Sequence, residues 1–540
     1  MEKLLVANRG EIALRVFRAA RALGVATVAV AAADDAGSLH ARSADETVAI
    51  ASYLDPGEHL RAARESGADA IHPGYGFLAE NGDFAEAVAA AGLTWIGPPA
   101  AALRAGGDKL AAKLIAAGAG VPTIPETDEP PLIVKAAAGG GGRGMRIVRT
   151  HAELADAVEA AKREAKAAFG DDRVYLERYL ERPRHVEIQL LADSHGNVVA
   201  LGERDCSVQR RHQKVLEESP SPALDDDLRA RMSDSAVRFA QAIGYAGAGT
   251  AEFVVEDGAF FFLELNGRIQ VEHPVTEAVT GLDLVQWQLR IADGATFDEP
   301  VRVRGHAVEV RLYAEDPRTF LPQAGRIDRL RLPGFVRVDS GVAEGDEIGT
   351  AYDPMIAKLI ATGATRDAAL DTLAAALAET EVGGVTTNLP FLRWLIAHPV
   401  FRAGEATTAF LTEHPPLSAP PARLPADVWR GAFRLNLPSP SLAPPPDVDA
   451  AAHEHGAAAA SGSVVAPMPG TVIKVLAREG AEVRARDPLV VLEAMKMETP
   501  LLAPYDGTVR AVLVAEGDRV AGGALLVELE TRELGSPSAN

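Results

Sequence analysis

An internal repeat near the carboxyl terminus restricts the possible folds of this chain more than any other feature. Residues 466–493 and 503–530 align without gaps at an offset of 37 (503 − 466 = 37), and half of the aligned positions are identical. Each copy reads as several short strands with Gly turns, too few to bury an apolar face alone. Two copies that close on each other are therefore predicted to form a flattened, pseudo-symmetric β-sandwich over residues 464–531.

The segment between the copies, AMKMETPLL (494–502), joins the two halves and puts Lys496 at the tip of a hairpin. An isolated Met-Lys-Met would mean little, because lysine is common on protein surfaces. Together with the repeat and the Pro-Met-Pro-Gly turn (467–470), however, this segment resembles the biotinyl carrier domain of biotin-dependent carboxylases. The resemblance implies biotin attached covalently to Lys496 by a biotin protein ligase. The alternative is a sandwich with an unmodified surface lysine.

The bulk composition indicates a globular protein of several domains. The chain has 540 residues, too many for one core, with 47% hydrophobic and 24% charged residues. Its net charge of -21 argues against a nucleic-acid partner, because binding phosphates requires clustered Lys and Arg. The single cysteine, Cys206, excludes an intrachain disulfide and favours a reducing compartment, and we assign it a packing role. With neither a signal peptide nor an apolar span, the protein is predicted to be cytoplasmic without a membrane partner.

Changes in amino-acid composition and sequence pattern along the chain predict its domain organisation. The amino-terminal part alternates short apolar strands with amphipathic helices, which is typical of a parallel α/β unit. A Gly-rich loop and strands rich in Val, Phe and Glu follow, then a mixed region with an Ala-rich helix at 367–380, then a Pro- and Ala-rich linker. The predicted boundaries are 1–103, 104–302, 303–412, a linker at 413–463 with a possible docking segment at 427–437, 464–531, and a disordered tail at 532–540.

The stretch 250–277, TAEFVVEDGAFFFLELNGRIQVEHPVTE, predicts a β-hairpin. A two-residue loop, Asp257-Gly258, would put Glu252 and Glu264 on opposite sheet faces, because side chains alternate. A three-residue loop starting at Glu256, with a G1 bulge, would make the two carboxylates diagonal neighbours on one face. We predict the second geometry, in which they clamp Mg²⁺ or Mn²⁺. The polar alternation continues beyond Glu264 at Asn266, Arg268, Gln270 and Glu272.

Lys135 ends an apolar strand and is followed by four consecutive glycines at 139–142. Glycines let backbone N–H groups approach phosphate oxygens, and the lysine adds charge. The run differs from a Walker A loop, which ends in Gly-Lys-Ser/Thr. Phosphate binding and a plain flexible connection both stay open from these residues alone.

The run Glu-x-Asn-x-Arg-x-Gln-Val-Glu-His-Pro (264–274) is similar to the signature of the biotin carboxylase component, an ATP-grasp enzyme. Further motifs of this family occur in the family's order and, together with this run, cover nearly residues 1–412. They are ANRGEIA, HPGYGFLAEN, GDK, GGGGRGM, RHVEIQ, RDCSVQRRHQK, VRVDSG and YDPMIAKLI. The resemblance implies a pre-ATP-grasp α/β domain, an ATP-grasp domain and an α+β carboxyl-terminal domain, followed by the all-β biotinyl/lipoyl-type sandwich.

The resemblance also implies roles for individual residues. ATP would be bound by Lys109, Lys135, Gly140, Gly141, Gly142, Met145, Glu177, Arg178, Leu180, His185, Gln209 and His212. The metal would be held by Glu252, Glu264 and Asn266. Bicarbonate would be seated by Arg268, Gln270 and Val271, with Lys214 nearby for charge. Glu272 would be the base that deprotonates bicarbonate, and Arg337 would hold the ureido group of biotin.

The chain departs from the family pattern at three places. The segment 122–134 is shorter than the usual spacer, which contains a helix, so ATP affinity or lid closure is expected to differ. Gly267 replaces the usual Thr in the metal strand and loosens the backbone there. Arg178 stands where Lys is common, which is a milder change because the backbone makes the family's contact.

Transfer of the carboxyl group to an acceptor requires a further large domain, which the remaining residues are too few to supply. The resemblance therefore implies a separate carboxyltransferase (beta) subunit and a homo-oligomer. Our first hypothesis is the alpha subunit of an acyl-CoA carboxylase. The alternatives are the equivalent subunit of a pyruvate or other non-CoA carboxylase, and a biotin-carrying scaffold with an impaired ATP-grasp site.

Overall fold

The computed structural model describes residues 1–137, 145–169, 171–210, 213–417, 463–468, 470–494 and 497–531. Several predicted features lie outside these residues: Gly140, Gly141, Gly142, His212, Lys496, the docking segment 427–437 and the tail 532–540. In the described ranges, no helix has both the length and the apolar content needed to cross a bilayer.

The amino-terminal region is a parallel α/β unit, as its alternating pattern predicts. Its elements are β1 (Lys3–Val6), α1 (Gly10–Ala22), β2 (Ala26–Ala31), α2 (Leu39–Ser43), β3 (Glu46–Ala49), α3 (Pro56–Ser66), β4 (Ala70–His72), α4 (Gly82–Ala90), β5 (Thr94–Trp95) and α5 (Ala100–Gly107). The strands form one sheet in the order β3-β2-β1-β4-β5. The apolar runs of β1 and β2 are buried because helices cover both faces of a parallel sheet.

The second region contains most of the predicted site residues. Its elements are α6 (Lys109–Gly118), β6 (Leu132–Ala136), β7 (Arg146–Val148), α7 (His151–Phe169), β8 (Val174–Arg178), β9 (Arg184–Ala192), β10 (Val198–Asp205), β11 (Gln209–Arg210), β12 (Gln213–Lys214), β13 (Leu216–Ser219), α8 (Asp226–Ala242), β14 (Gly247–Glu256), β15 (Ala259–Asn266), α9 (His273–Thr280) and α10 (Leu284–Ala292). Strands β7, β6 and β8 make a small sheet of their own. No helix occurs between Val121 and β6, where the sequence lacks the usual spacer.

The third region follows a loop at 293–305. Its elements are β16 (His306–Tyr313), β17 (Gly325–Arg326), β18 (Arg329–Arg331), β19 (Arg337–Ser340), β20 (Glu347–Ile348), β21 (Met355–Gly363), α11 (Arg366–Glu379), β22 (Glu381–Gly383), α12 (Leu389–Ala397), α13 (Pro399–Arg402) and α14 (Phe410–Glu413). The Ala-rich helix predicted at 367–380 is α11.

One eight-stranded sheet runs through the second and third regions, in the order β15-β14-β9-β10-β13-β16-β21-β19. The strand pair β13 and β16 joins the two regions by antiparallel pairing from Leu216 with Val310 to Ser219 with Ala307. The hairpin of β14 and β15 therefore lies at one end of the sheet, and β19, which begins with Arg337, lies at the other.

The carboxyl-terminal repeat forms the predicted flattened sandwich. Its strands are β23 (Ser463–Val465), β24 (Gly470–Val475), β25 (Glu482–Val483), β26 (Pro488–Ala494), β27 (Met497–Leu502), β28 (Gly507–Val512), β29 (Arg519–Val520) and β30 (Leu525–Thr531). Strands β28, β29 and β30 repeat β24, β25 and β26 at the offset of 37. The two sheets are β23-β30-β28-β25 and β27-β26-β24-β29, so each copy lends its short strand to the sheet of the other copy.

Candidate active site

The two predicted metal-binding carboxylates lie directly opposite each other in the β14–β15 hairpin. Glu252 pairs with Glu264 in the antiparallel register, so both side chains share one sheet face, as predicted. The predicted diagonal placement is wrong, because the two residues pair directly. The predicted three-residue turn is also wrong, because Glu256 pairs with Ala259 and only Asp257 and Gly258 form the loop.

A bulge inside the hairpin reconciles a two-residue loop with carboxylates on one face. Asp257 and Gly258 have φ values of 51° and 75°, which suit the tight turn that matches strand twist. The register then shifts between Glu252 and Phe253, so that Leu263 is the extra residue of β15. Without this extra residue the side chain of Glu264 would point to the other face.

Glu252 accepts hydrogen bonds from three side chains at a single oxygen. Its Oε1 atom lies 2.8 Å from Lys214 Nζ, 2.8 Å from Asn266 Nδ2 and 2.9 Å from Gln270 Nε2. Its Oε2 atom lies 3.1 Å from His185 Nε2. Burial alone would raise the pKa of Glu252, but Lys214 and His185 outweigh it and hold the pKa well below the ordinary value. The carboxylate is therefore charged across the physiological range.

The donor set around the hairpin fits a hard divalent cation. Glu264 is about one-third exposed and its Oε2 atom lies 3.2 Å from Lys109 Nζ, which shows that this carboxylate already attracts a cation. Carboxylates at directly paired positions, with the Asn266 amide on the same strand as Glu264, are ligands that Mg²⁺ and Mn²⁺ accept. The residues present therefore fit the predicted metal.

The predicted bicarbonate residues lie in a turn rather than in a continued strand. Strand β15 ends at Asn266, and the chain reaches α9 through an irregular stretch in which Gln270 and Glu272 are buried. The predicted strand-like alternation of polar side chains along 264–272 is therefore wrong beyond Asn266, because a short turn replaces the strand. Arg268 donates to Asn266 Oδ1 at 2.9 Å and lies 3.2 Å from a carboxylate oxygen of Glu80.

Glu272, the predicted base, is held by two cations at separate oxygens. Lys214 Nζ donates to its Oε1 atom at 2.6 Å, and Arg311 Nη2 donates to its Oε2 atom at 3.0 Å. Burial by itself raises the pKa of Glu272, but Lys214 and Arg311 outweigh it and lower the pKa below the ordinary value. The backbone carbonyl of Val271 accepts a hydrogen bond of 2.8 Å from Lys358, a fully buried lysine.

Arg204 is the largest fully buried side chain in the described residues and was not among the predicted site residues. Its guanidinium donates to Glu187 Oε1 at 2.6 Å and to Gln270 Oε1 at 2.8 Å. Glu187 in turn accepts from Lys214. The signal was present in the motifs RHVEIQ and RDCS, which contain Glu187 and Arg204, because a charged residue inside a buried strand needs a partner.

The predicted nucleotide residues form a second group on the small sheet. Glu177 on β8 accepts from Lys135 Nζ at 2.6 Å and from Lys113 Nζ at 2.9 Å. Lys113, one turn after Lys109 on α6, was not predicted, although its spacing of four residues puts it on the same helix face. Leu180 is buried beside Ile124.

The remaining nucleotide residues are more scattered. Met145 is half-buried just before β7, and the backbone N–H of Arg178 donates to Pro125 O at 3.1 Å. Gln209 donates to the Cys206 carbonyl at 2.9 Å. Burial raises the pKa of the Cys206 thiol well above its ordinary value, which agrees with a packing role rather than a nucleophile.

His185 connects the nucleotide residues with the metal pair through its contact with Glu252. Burial alone would lower the pKa of His185, but the Glu252 and Glu187 carboxylates outweigh it and raise the pKa to about 9. The imidazole is therefore a cation at neutral pH.

Arg337 lies on the edge strand β19 of the eight-stranded sheet, in contact with helix α9, which begins directly after Glu272. It donates to Glu277 Oε2 at 2.7 Å and to Asp339 Oδ2 at 2.9 Å. Its side chain is about one-third exposed and lines a cavity of about 860 Å³. Further residues lining this cavity are Arg15, Arg18, Asp283, Gln286 and Phe335.

The last pair of the β26–β27 hairpin is Ala494 with Met497. The connecting residues Met495 and Lys496 lie outside the described part of the chain. The predicted tip of the carrier hairpin is thus bracketed by described strands, while the position of Lys496 stays a prediction.

Four family models match the chain in sequence. Residues 1–103 match the biotin carboxylase N-terminal domain, 119–300 the carbamoyl-phosphate synthase L chain ATP binding domain, 309–413 the biotin carboxylase C-terminal domain, and 462–529 the biotin-requiring enzyme family.

Three curated relatives illustrate the range of similar proteins. The chain is 48% identical to the biotin carboxylase of Haemophilus influenzae, over 76% of this chain and 98% of that protein. It is 44% identical to the biotin-dependent acyl-coenzyme A carboxylase alpha3 subunit of Mycobacterium leprae, over 92% and 94%. It is 50% identical to the methylcrotonoyl-CoA carboxylase subunit alpha of Dictyostelium discoideum, but over 76% of this chain and only 63% of that protein.

Solved structures of biotin carboxylases also match the fold of this chain. A biotin carboxylase of Campylobacter jejuni in complex with β-γ-ATP matches with a TM-score of 0.75 at 40% identity, over 76% of this chain and 99% of that one. The biotin carboxylase domain of the Hydrogenobacter thermophilus 2-oxoglutarate carboxylase, a dimer with MgADP, ADP and bicarbonate, matches with a TM-score of 0.74 at 43% identity, over 77% and 98%.

Proposed function

Because the chain belongs to the biotin carboxylase family and ends in a biotin-carrier domain, we propose that it uses ATP and bicarbonate to carboxylate biotin attached to its own Lys496. The chain is a ligase with the three biotin carboxylase domains and a biotin-requiring domain in one polypeptide. Its cofactors are biotin, ATP and Mg²⁺.

The observation that carries this proposal is the convergence of charge around Glu252 and Glu272. Lys214 Nζ donates to both carboxylates, and Gln270 joins Glu252 to the buried Arg204. The residues proposed as the anion-binding group (Arg268), the metal pair (Glu252 and Glu264) and the base (Glu272) thus lie within one hairpin and the turn that follows it. Buried charges are costly unless they are paired, and the carboxylates proposed for the metal and for the base share the same lysine partner.

Within this site we propose that Glu272 accepts the proton of bicarbonate. Bicarbonate is a poor nucleophile until it loses its proton, and a charged carboxylate beside a bound anion can accept it. Arg268, with the amide of Gln270, would bind the anion and orient it toward the phosphates. Lys109 and Lys135 would hold phosphate oxygens, and a bound Mg²⁺ would neutralise charge on them. Glu177 would bind at the adenine side.

Arg337 would hold the ureido group of biotin, because its guanidinium faces a cavity while two carboxylates fix its orientation. Biotin on Lys496 would take up the carboxyl group and carry it to a second active site. That second site is proposed to belong to a separate carboxyltransferase subunit.

We propose an acyl-CoA as the final acceptor. One relative that this chain matches over nearly its whole length is an acyl-coenzyme A carboxylase alpha subunit. Structures of a 2-oxoglutarate carboxylase domain and of a pyruvate carboxylase match over 77% of this chain. Association with a biotin protein ligase, a homo-oligomeric state and a cytoplasmic location stay predictions.

The test measures bicarbonate-dependent ATP cleavage by the biotinylated full-length wild type and by two full-length variants. Glu272→Gln removes the base, and we expect at least a hundredfold loss that added free biotin does not restore. Lys496→Arg removes the attachment point, so turnover should fall and return when free biotin is added. Intact-mass spectrometry should show the biotin adduct on the wild type and none on Lys496→Arg. Full activity of Glu272→Gln would contradict the role of this residue.

A further inference from the structure

A row of charged side chains lies on the eight-stranded sheet next to the predicted base. Glu217 on β13 pairs directly with Glu309 on β16, and Arg311 on β16 pairs directly with Lys358 on β21. Residues that pair directly, and residues two apart on a strand, share one sheet face. All four side chains are buried. The proposed reaction uses none of them.

Arg311 joins this row to the active site. Its Nε atom donates to Glu217 Oε1 at 2.7 Å, and its Nη2 atom donates to Glu272 Oε2 at 3.0 Å. The backbone around Arg311 is fixed as well, since its N–H donates to Val215 O at 3.1 Å and its carbonyl accepts from Asn388 at 3.0 Å. A planar guanidinium that bridges two carboxylates leaves each of them little rotational freedom.

We propose that Arg311 is a positioning residue for Glu272, and that Glu217, by sharing the same guanidinium, sets how strongly Glu272 attracts a proton. This inference rests on the proposed role of Glu272 as the base. It adds two residues that act through Glu272 rather than on the substrate.

The sign of the effect follows from charge. When Glu217 is ionised it neutralises much of the Arg311 charge, so Glu272 keeps a higher proton affinity and is a better base. When Glu217 is neutral, the full Arg311 charge acts on Glu272 and lowers its proton affinity. Activity should therefore be higher in the state with Glu217 ionised.

The surroundings of Glu217 favour a change of charge near neutral pH. Its Oε2 atom has no hydrogen-bond partner among the described residues. Burial raises the pKa of Glu217 to about 7, although Arg311 opposes this rise. The other charged or titratable groups that face Glu272, Arg311 and Glu217 are Lys214, Glu187, Arg204, Glu309, Lys358, Cys206 and Tyr313.

Glu309 supplies a matched control. It is fully buried, and neither carboxyl oxygen has a hydrogen-bond partner within the described ranges. Burial raises the pKa of Glu309 well above the ordinary value, which favours the neutral form of the side chain. Replacing it by neutral Gln keeps the charge of the row unchanged.

The experiment measures bicarbonate-dependent ATP cleavage by the biotinylated full-length chain from about pH 6 to about pH 8, with rates normalised to the actual bicarbonate concentration. We expect the wild type to show an inflection near neutral pH. Glu217→Gln should lose this inflection and stay at the low-pH rate, about threefold below the wild-type plateau. Glu309→Gln should keep the wild-type profile. Arg311→Lys keeps the positive charge but loses the planar guanidinium that bridges the two carboxylates. The kcat should therefore fall while the pH inflection remains.

Three outcomes would overturn the inference: an unchanged inflection in Glu217→Gln, the same loss in Glu309→Gln, or a wild-type rate in Arg311→Lys. Glu272→Gln separates this failure from failure of the proposed function. If Glu272→Gln is inactive while Glu217→Gln behaves like the wild type, only the present inference is wrong. If Glu272→Gln is active, the proposed base itself is wrong.

Discussion

His72 and His40 are buried histidines of the amino-terminal unit whose neutral form is part of the fold. His72 Nδ1 accepts a hydrogen bond of 2.9 Å from Gly74 N and cannot do so when protonated. Burial lowers the pKa of His72 to about 4 and that of His40, despite the nearby Asp35, also to about 4. The unfolded chain takes up these protons near pH 6.5. The contribution of these two neutral histidines to the free energy of unfolding is therefore fully present above pH 6.5, and it is lost as the pH drops toward 4.

At the residue scale we expect His72→Gln to resist mild acid better than the wild type. Between about pH 7 and about pH 5, the variant should lose about 2 kcal/mol less of its free energy of unfolding, measured by urea titration. His195→Gln, at an exposed histidine, is the control and should follow the wild type. An unchanged acid dependence of His72→Gln would contradict the assignment.

Sequence reasoning found one part of the site and missed another for a physical reason. Glu252, Glu264 and Glu272 belong to one continuous stretch, so alternation and motif order show them together. Arg204 and Arg311 belong to other strands and approach the site only through sheet pairing. Pairing between distant strands is a tertiary property that no single stretch contains.

At the scale of elements, the β14–β15 hairpin shows what local patterns cannot specify. The Asp-Gly pair predicts a tight turn, and the polar parity predicts carboxylates on one face, but these two signals conflict without a bulge. The structure satisfies both by placing the extra residue at Leu263, inside the strand. The repeat is the opposite case, because its constant offset predicted the strand positions directly.

Helix α6 begins beside the active site and offers an element-level prediction. Asp108 caps this helix, since its Oδ1 atom accepts from Ala111 N at 2.9 Å, and Lys109 is the first helical residue. Asp108→Ala should cost about 1 kcal/mol of stability. It should also raise the KM for ATP, because Lys109 loses its fixed starting position.

Asp108→Asn is the matched control, because Asn caps helices about as well as Asp. Thermal unfolding and ATP-dependent kinetics of both variants check the prediction. Equal KM values for the Ala and Asn variants would show that the cap does not position Lys109.

At the scale of the whole molecule, the apolar core of the carrier sandwich is separate from the others. Its buried cluster runs from Val464 to Leu529 and contains no residue from 1–417. The clusters of the first 417 residues likewise contain none from the sandwich. The two parts therefore have the cores of independent folding units.

A chain shortened to residues 1–417 should accordingly keep its fold and its ability to carboxylate biotin. We expect its main thermal unfolding midpoint to stay within about 2 °C of that of the full chain, because no shared core is lost. Bicarbonate-dependent ATP cleavage should then require free biotin. A markedly lower midpoint would reveal stabilising contacts between the two parts.

The eight-stranded sheet has a consequence for gene fusion and exchange. The pair of β13 and β16 joins strands on either side of the loop at 293–305, so a junction there would graft five strands of one lineage's sheet onto three strands of another's. Every cross-strand contact at that seam, including the buried Glu217 and Glu309, would have to match by chance. Hybrid genes should therefore tolerate a crossover after residue 417 far better than one near residue 300, which makes the first 417 residues a single unit of inheritance.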